Sequence, residues 1–215
     1  IYDWYREPDY HDNYKELWDL CHRLSDTCEE HFELISFWRI VRDKEYVKWL
    51  SSIGLKKAQL TLFGGEEKTD FYTGRKGAYR EILQAIDILL ENKISPRLQF
   101  FVNKDTVEEL PLVEELIRRL DLENRCRAFG GEFSFFLHQG EKQYPIWVTP
   151  DDLKKIPQTL VEYTLRHFHA ASLEDVFGQT EQTLYEELIH DRSTASLVSE
   201  TPVFYVDHQF NVCPN

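Results

Sequence analysis

The sequence predicts an α/β protein: a partial parallel (β/α) barrel of TIM-like form, with a helical insertion and a short C-terminal β-hairpin. Three observations carry this reading. Apolar runs of strand length alternate with segments of helical periodicity from residue 1 to about 138, the pattern of parallel strands joined by right-handed crossovers. The loop after the strand AQLTLF carries Gly64, Gly65, Gly74, Arg75 and Gly77, and parallel sheets hold ligands outside the carboxyl ends of their strands. Finally, two strands share a habit. Gln59, Thr61 and Phe63 alternate on one face of AQLTLF, and Arg97, Gln99, Phe101 and Asn103 on one face of PRLQFFVN. Polar groups inside a sheet need partners, from one another or from a ligand in a lumen. For any single residue mutual satisfaction is the simpler account; the repetition on two strands favours a lined site, and a barrel over an open doubly wound sheet.

The elements follow in order. IYDWY reads as a short strand, and Tyr14, Leu17, Trp18, Cys21, Leu24 and Cys28 recur at helical spacing. HFELISFWRI is dense in aromatic and β-branched residues and reads as a buried strand. Asp43 caps a helix over KEYVKWLSSI, which Gly54 ends. After AQLTLF, a helix from about Gly77 to Asn92 shows Tyr79, Ile82, Leu83, Ile86, Leu89 and Leu90 on one face. Pro96 opens PRLQFFVN, and Thr106 with Glu109 makes a capping box for a helix through Leu120, with Pro111 in its first turn. GEFSFFLH is a further strand. Thr149-Pro150-Asp151-Asp152 starts a helix with a cap, a first-turn proline and acids at the positive dipole end; helical pattern persists to His169 and returns near Leu173–His190. The tail TPVFYVDHQFNVCPN reads as two short strands. Residues 1–140 are thus the partial barrel, 141–200 a helical extension and 201–215 a separate C-terminal segment.

Composition narrows the function classes. The net charge is −13 with scattered cations, which disfavours a nucleic-acid backbone as partner. No apolar run reaches bilayer length and the start lacks signal-peptide character, so the expectation is a cytoplasmic protein without membrane contact. Cys21, Cys28, Cys126 and Cys213 form no CxxC pair and read as thiols. The chain contains no methionine, which suggests a fragment or omitted residues that would hide deletions in some spacings.

Other constellations are weaker. His138, His167, His169 and His190 could join acids around a metal in a barrel hydrolase, but His167 and His169 lie two apart on a helix and point apart. Gly64-Gly65-Glu66-Glu67 lacks the lysine and hydroxyl of a phosphate loop.

The order of motifs resembles the radical S-adenosylmethionine (radical SAM) superfamily, in particular members with a SPASM-like C-terminal extension. Gln59 to Gly64 (QLTLFG) is similar to the family's strand form QVSLDG, Thr69-Asp70 stands at its HD place, and Gly74-Arg75-Lys76-Gly77-Ala78-Tyr79 at its RG and GxF/Y helix start. Asn103 through Leu110 resembles a later N-x-x-E-L form. Glu7-Pro8 match the end of a GGEP motif in which Tyr5-Arg6 replace the glycines. The tail FYVDHQFNVCPN resembles the start of an auxiliary-cluster extension. The family's CxxxCxxC loop is absent; Cys21 to Cys28 has the outer spacing, but Ser25 stands in the middle and the segment reads as a helix.

The resemblance implies a radical SAM barrel, a 4Fe–4S cluster whose ligand loop is not in this chain, S-adenosylmethionine, and an auxiliary cluster with Cys213 as a metal ligand. It implies reductive cleavage of S-adenosylmethionine and hydrogen abstraction from a small-molecule or peptide substrate, with electrons from a flavodoxin- or ferredoxin-type protein. On this reading Glu7, Pro8, Thr61, Arg75 and Gln99 bind the cofactor, and the fragment is inactive without its cluster loop. Catalytic residues proper are not assigned. A non-catalytic binding barrel is the remaining alternative, since bulky Tyr5-Arg6 would crowd the cofactor where glycines allow close approach.

Overall fold

Residues 12–16, 32–140, 144–177, 204–206 and 212–214 are described in the computed structural model of this chain. Glu7, Pro8, Cys21, Cys28 and His190, and the strand expected over IYDWY, lie outside them. The chain divides into two units, Ile1–Phe177 and Gly178–Asn215.

In the first unit four strands, β1 (Phe32–Leu34), β2 (Lys57–Leu62), β3 (Ser95–Phe101) and β4 (Ser134–His138), pair in sequence order, all parallel. Sequential order matters. Right-handed crossovers between successive neighbours put every connecting helix on the same face, as in a barrel, whereas a doubly wound sheet reverses direction and covers both faces. The four strands are therefore an arc consistent with a partial TIM-like barrel.

Local chemistry builds the helix layer. Ser36 turns the chain into α1 (Phe37–Arg42), so the strand expected across HFELISFWRI stops at Leu34. Tertiary packing overrides β propensity here: α1 lies against the later helix Ala78–Glu91, and its Ile40 is buried. The Asp43 carboxylate accepts from the amides of Glu45 and Tyr46 to start α2 (Lys44–Ser52), and Gly54 follows that helix with φ +81°. A helix unforeseen in the sequence, α3 (Glu66–Tyr72), occupies the glycine-bearing loop after β2.

The long helix α4 (Ala78–Glu91) buries Ile82, Ala85, Ile86, Leu89 and Leu90 along one stripe, each large aliphatic contributing about 1.5–3 kcal/mol. Beyond β3 a short 3₁₀ turn leads into α5 (Leu110–Arg119), with Pro111 in its first turn, then α6 (Leu122–Arg127). Facing this layer, Ala58, Leu60 and Leu62 of β2, Leu98 and Phe100 of β3, and Phe135 and Leu137 of β4 form the core.

After β4 come α7 (Pro150–Leu153), α8 (Gln158–Phe168) and α9 (Leu173–Phe177). The cap expected at Thr149 forms, and Asp152 completes it as a capping box. Helix α8 runs along the outer edge of β4: the buried Thr164 hydroxyl accepts from the Leu137 amide at 3.2 Å, Tyr163 packs on Phe133 and Phe135, and His167 stacks on Phe136. It takes up backbone polarity that an adjoining strand would otherwise satisfy.

In the second unit, β5 (Phe204–Val206) and β6 (Val212–Pro214) form an antiparallel pair, with Tyr205 opposite Cys213.

Candidate functional site

The inner face of the sheet, away from the helices, is set by strand register. Gln59 pairs with Arg97 and Arg97 with Ser134; Thr61 pairs with Gln99 and Gln99 with Phe136; Phe101 pairs with His138. Register partners share a face, so the alternating residues of the two polar strands meet in one row.

These side chains hold one another. Arg97 donates through Nε to Gln59 Oε1 at 3.0 Å, and a second guanidinium nitrogen reaches the same oxygen. Gln59 Nε2 donates to Gln99 Oε1 at 2.8 Å, and Thr61 Oγ1 donates to that oxygen at 3.2 Å. Gln59, Arg97 and Gln99 are all buried, with Thr61 half-buried. Arg97 lies over the Phe136 ring at 5.0 Å, and burial pushes its guanidinium down to about 10, still charged at neutral pH. Thr61 and Gln99, two of the residues singled out in the sequence, are thus in direct contact.

A second row runs across the carboxyl ends of the strands. Phe71 meets Tyr72 edge-on at 5.3 Å, Tyr72 stacks on Phe63 at 5.1 Å, Phe63 on Phe101 at 5.4 Å, and His138 meets Phe101 edge-on at 4.9 Å. Phe71 is 74% exposed. The polar character read for this face therefore gives way, at the rim, to an aromatic wall. Phe63 stands where the family's strand form has aspartate. Asn103 leaves the row: its Oδ1 accepts from the amides of Asp105 and Thr106, closing the turn after β3.

The loops around these strand ends are tied by carboxylates. Asp70 accepts from the amides of Gly77 at 2.5 Å and Tyr79 at 2.9 Å, capping α4 from the preceding helix; these bonds, the Tyr79 one foremost, hold its carboxyl below the ordinary range. The capping box expected at Thr106 and Glu109 does not form. The Thr106 hydroxyl donates to the Phe101 carbonyl, and Glu109 reaches away to accept from the Gly65 amide at 2.9 Å. Nothing in the spacing of Glu109 distinguished this long-range role from a cap. Arg75 pairs with Glu81 at 2.6 Å and lies over the Phe37 ring; the bond to Glu81 raises its already high pKa.

Of the remaining sequence candidates, Glu7 and Pro8 lie outside the described residues, and only the backbone of Cys213, in β6, is described. The described histidines do not converge. His138 rests on Phe101, His167 on Phe136, and His169 ends α8 with φ 54°. Among the described residues no three His, Cys, Asp or Glu side chains group to hold a metal ion. Cys126 is buried, its pKa is raised by that burial, and its partner Ser95 begins β3, at the opposite end of the sheet from the site. The described residues therefore do not fit an iron–sulfur cluster, whereas the polar row fits an organic ligand with hydrogen-bonding groups. No helix among them is long and apolar enough to cross a membrane.

No protein-family profile matches the chain. It is 30% identical over 84 residues to Fe-coproporphyrin III synthase of Methanosarcina barkeri (strain Fusaro / DSM 804), a stretch covering 39% of this chain and 21% of that protein. In fold it is similar to native anSMEcpe solved with bound AdoMet and Kp18Cys peptide, with a TM-score of 0.50 at 14% identity over 73% of this chain and 43% of that one. The likeness to the solved structure is one of fold, and the short sequence match accompanies a motif order that resembles the radical SAM superfamily. The chain's matches span less than half the length of either protein.

Proposed function

We propose that this chain is part of a radical SAM enzyme that binds S-adenosylmethionine on the inner face of its arc and reductively cleaves it. The observation that carries this is the contact of Thr61 with Gln99 at the carboxyl ends of β2 and β3, in a fold of this superfamily. When bound there, S-adenosylmethionine would supply, on one-electron reductive cleavage to methionine, a 5′-deoxyadenosyl radical for hydrogen abstraction from the substrate. The electron comes from a flavodoxin- or ferredoxin-type protein. A 4Fe–4S cluster would supply it at the sulfonium, and none of its ligands is among the described residues.

The chain's own residues bind and orient. Thr61 and Gln99 hydrogen-bond the nucleoside, and Glu7, beside Pro8 in the sequence, accepts from the methionyl ammonium. Arg75 pairs with the methionyl carboxylate after exchanging Glu81 for it. Cys213 would be a ligand of an auxiliary cluster. The aromatic wall from Phe71 to His138 excludes water where a radical would form, and suits an apolar or conjugated small-molecule substrate better than a polar peptide. The proposed setting is the cytoplasm.

The test is anaerobic iron–sulfur reconstitution of the full-length protein, then incubation with S-adenosylmethionine and dithionite. Cluster absorbance and 5′-deoxyadenosine are the expected results. Neither appearing would reject the reading. Bound zinc, manganese or iron without sulfide would point instead to the histidine-based hydrolase.

A further inference from the structure

The hydrogen bonds of the polar row have a forced direction. An arginine guanidinium has five donors and no acceptor, so the atom of Gln59 that meets Arg97 is its carbonyl oxygen. The Gln59 amide nitrogen is then turned to the next strand, where it donates to Gln99 Oε1 at 2.8 Å. That oxygen also accepts from Thr61 Oγ1 at 3.2 Å, which occupies both of its lone pairs. Two groups remain to face outward: the Gln99 NH2, a donor, and the lone pairs of Thr61 Oγ1, an acceptor. An amide can swing round to present either end. Here Arg97 decides which end of Gln99 is offered, although it lies two residues back along β3.

We propose that Arg97 and Gln59 are positioning residues that set the hydrogen-bond polarity of the ligand-facing pair, so the site takes a ligand offering an acceptor to Gln99 and an O–H donor to Thr61. A nucleoside has both, in a ring nitrogen and a ribose hydroxyl. The inference deepens the reading of this face as the S-adenosylmethionine site, and rests on it. Neither positioning residue needs to touch the ligand.

Gln59→Glu is the discriminating variant. It keeps the volume and gives Arg97 a carboxylate partner, but a carboxylate cannot donate to Gln99. The Gln99 amide then turns to give its NH2 to the new carboxylate and presents its oxygen outward. Affinity for S-adenosylmethionine, measured by calorimetry on the reconstituted full-length protein, should fall at least about tenfold, with the thermal midpoint little changed. Arg97→Lys keeps a donor-only partner and should retain affinity within about threefold of the wild-type value. In the wild-type protein, the Gln99 side-chain amide resonances should shift when S-adenosylmethionine is added and those of Gln59 should move far less, a readout independent of any variant's folding. Undiminished affinity in Gln59→Glu, or an unshifted Gln99 amide under saturating ligand, overturns the positioning role alone. Absence of binding to the wild-type protein overturns the S-adenosylmethionine reading and this inference with it.

Discussion

Glu109 accepts a hydrogen bond from the Gly65 amide at 2.9 Å across a separation of 44 residues, joining the loop after β3 to the loop after β2. The two loops frame the carboxyl ends of the strands that carry Thr61 and Gln99. The join is tight. A methyl group on Gly64 would lie 2.7 Å from Glu109 Oε2, 2.8 Å from Cγ and 3.0 Å from Cβ. Gly64 itself has φ +144°, a conformation that side chains disfavour.

Gly64→Ala should therefore destabilise the protein by about 2 kcal/mol through strain and overlap. Glu109→Ala removes the overlaps with Oε2 and Cγ, while the contact with Cβ and the backbone strain remain. In urea titrations the double variant should be more stable than the sum of the single losses predicts. Strict additivity would show that Glu109 does not press on this loop.

Thr164 tests how the edge of the arc is closed. Its hydroxyl is the acceptor for the buried Leu137 amide, so Thr164→Val leaves that donor unpaired in a volume that scarcely changes. The expected loss is about 1–3 kcal/mol, seen as a lower urea midpoint with an unchanged slope. Thr164→Ser keeps the acceptor and should lose less. A larger loss in Thr164→Ser than in Thr164→Val would assign the role to the methyl group.

Much of this architecture was legible in the sequence because it is periodic. β2, β3, β4 and α4 have apolar spacings that only one secondary structure satisfies, and the alternation in AQLTLF and PRLQFFVN correctly put Gln59, Thr61, Arg97 and Gln99 on a common face. What was not legible depends on distance in the chain. Helix α3 lies in a segment without an apolar stripe, and its Thr69 and Asp70 bond outward to Gly64, Gly77 and Tyr79. HFELISFWRI splits into strand and helix because α1 packs on α4. Glu109 had the spacing of a cap and is used elsewhere. The direction of the Arg97–Gln59–Gln99 row needed the register of two strands.

His167 provides a pH test. Burial against Phe136, with Arg97 and Lys57 nearby, lowers its pKa from 6.5 to about 4. Below pH 6.5 the unfolded chain takes up a proton that the folded chain refuses, so stability falls as pH drops from 6.5 to about 4 and this contribution then levels off. The imidazole is half-buried, and allowing for solvent screening the loss is about 1–2 kcal/mol. His167→Phe should remove that slope while keeping the stack on Phe136. A variant curve parallel to the wild-type curve through this window would mean that the imidazole titrates normally.

The acid limb below that window belongs to carboxylates at helix starts. The Thr149 amide and hydroxyl, with Lys155, hold Asp152 at about 2 rather than its ordinary 3.8, and the Tyr79 and Gly77 amides lower Asp70 in the same direction. A depressed folded-state pKa means that the stabilisation is fully present above 3.8 and is lost as pH falls through the folded value. Asp152→Asn keeps an acceptor for the Thr149 amide but carries no charge at any pH, so it cannot contribute to this slope. Its urea midpoints should lie below wild type above pH 4 and converge on it as pH approaches 2. Asp70→Asn should behave alike, since it loses the anion that faces two amides at the start of α4. The two effects should add, because the caps serve different helices, α4 and α7, and share no partner. Wild-type and variant curves that stay parallel between pH 4 and 2 would show that these carboxylates are not what the fold loses in acid.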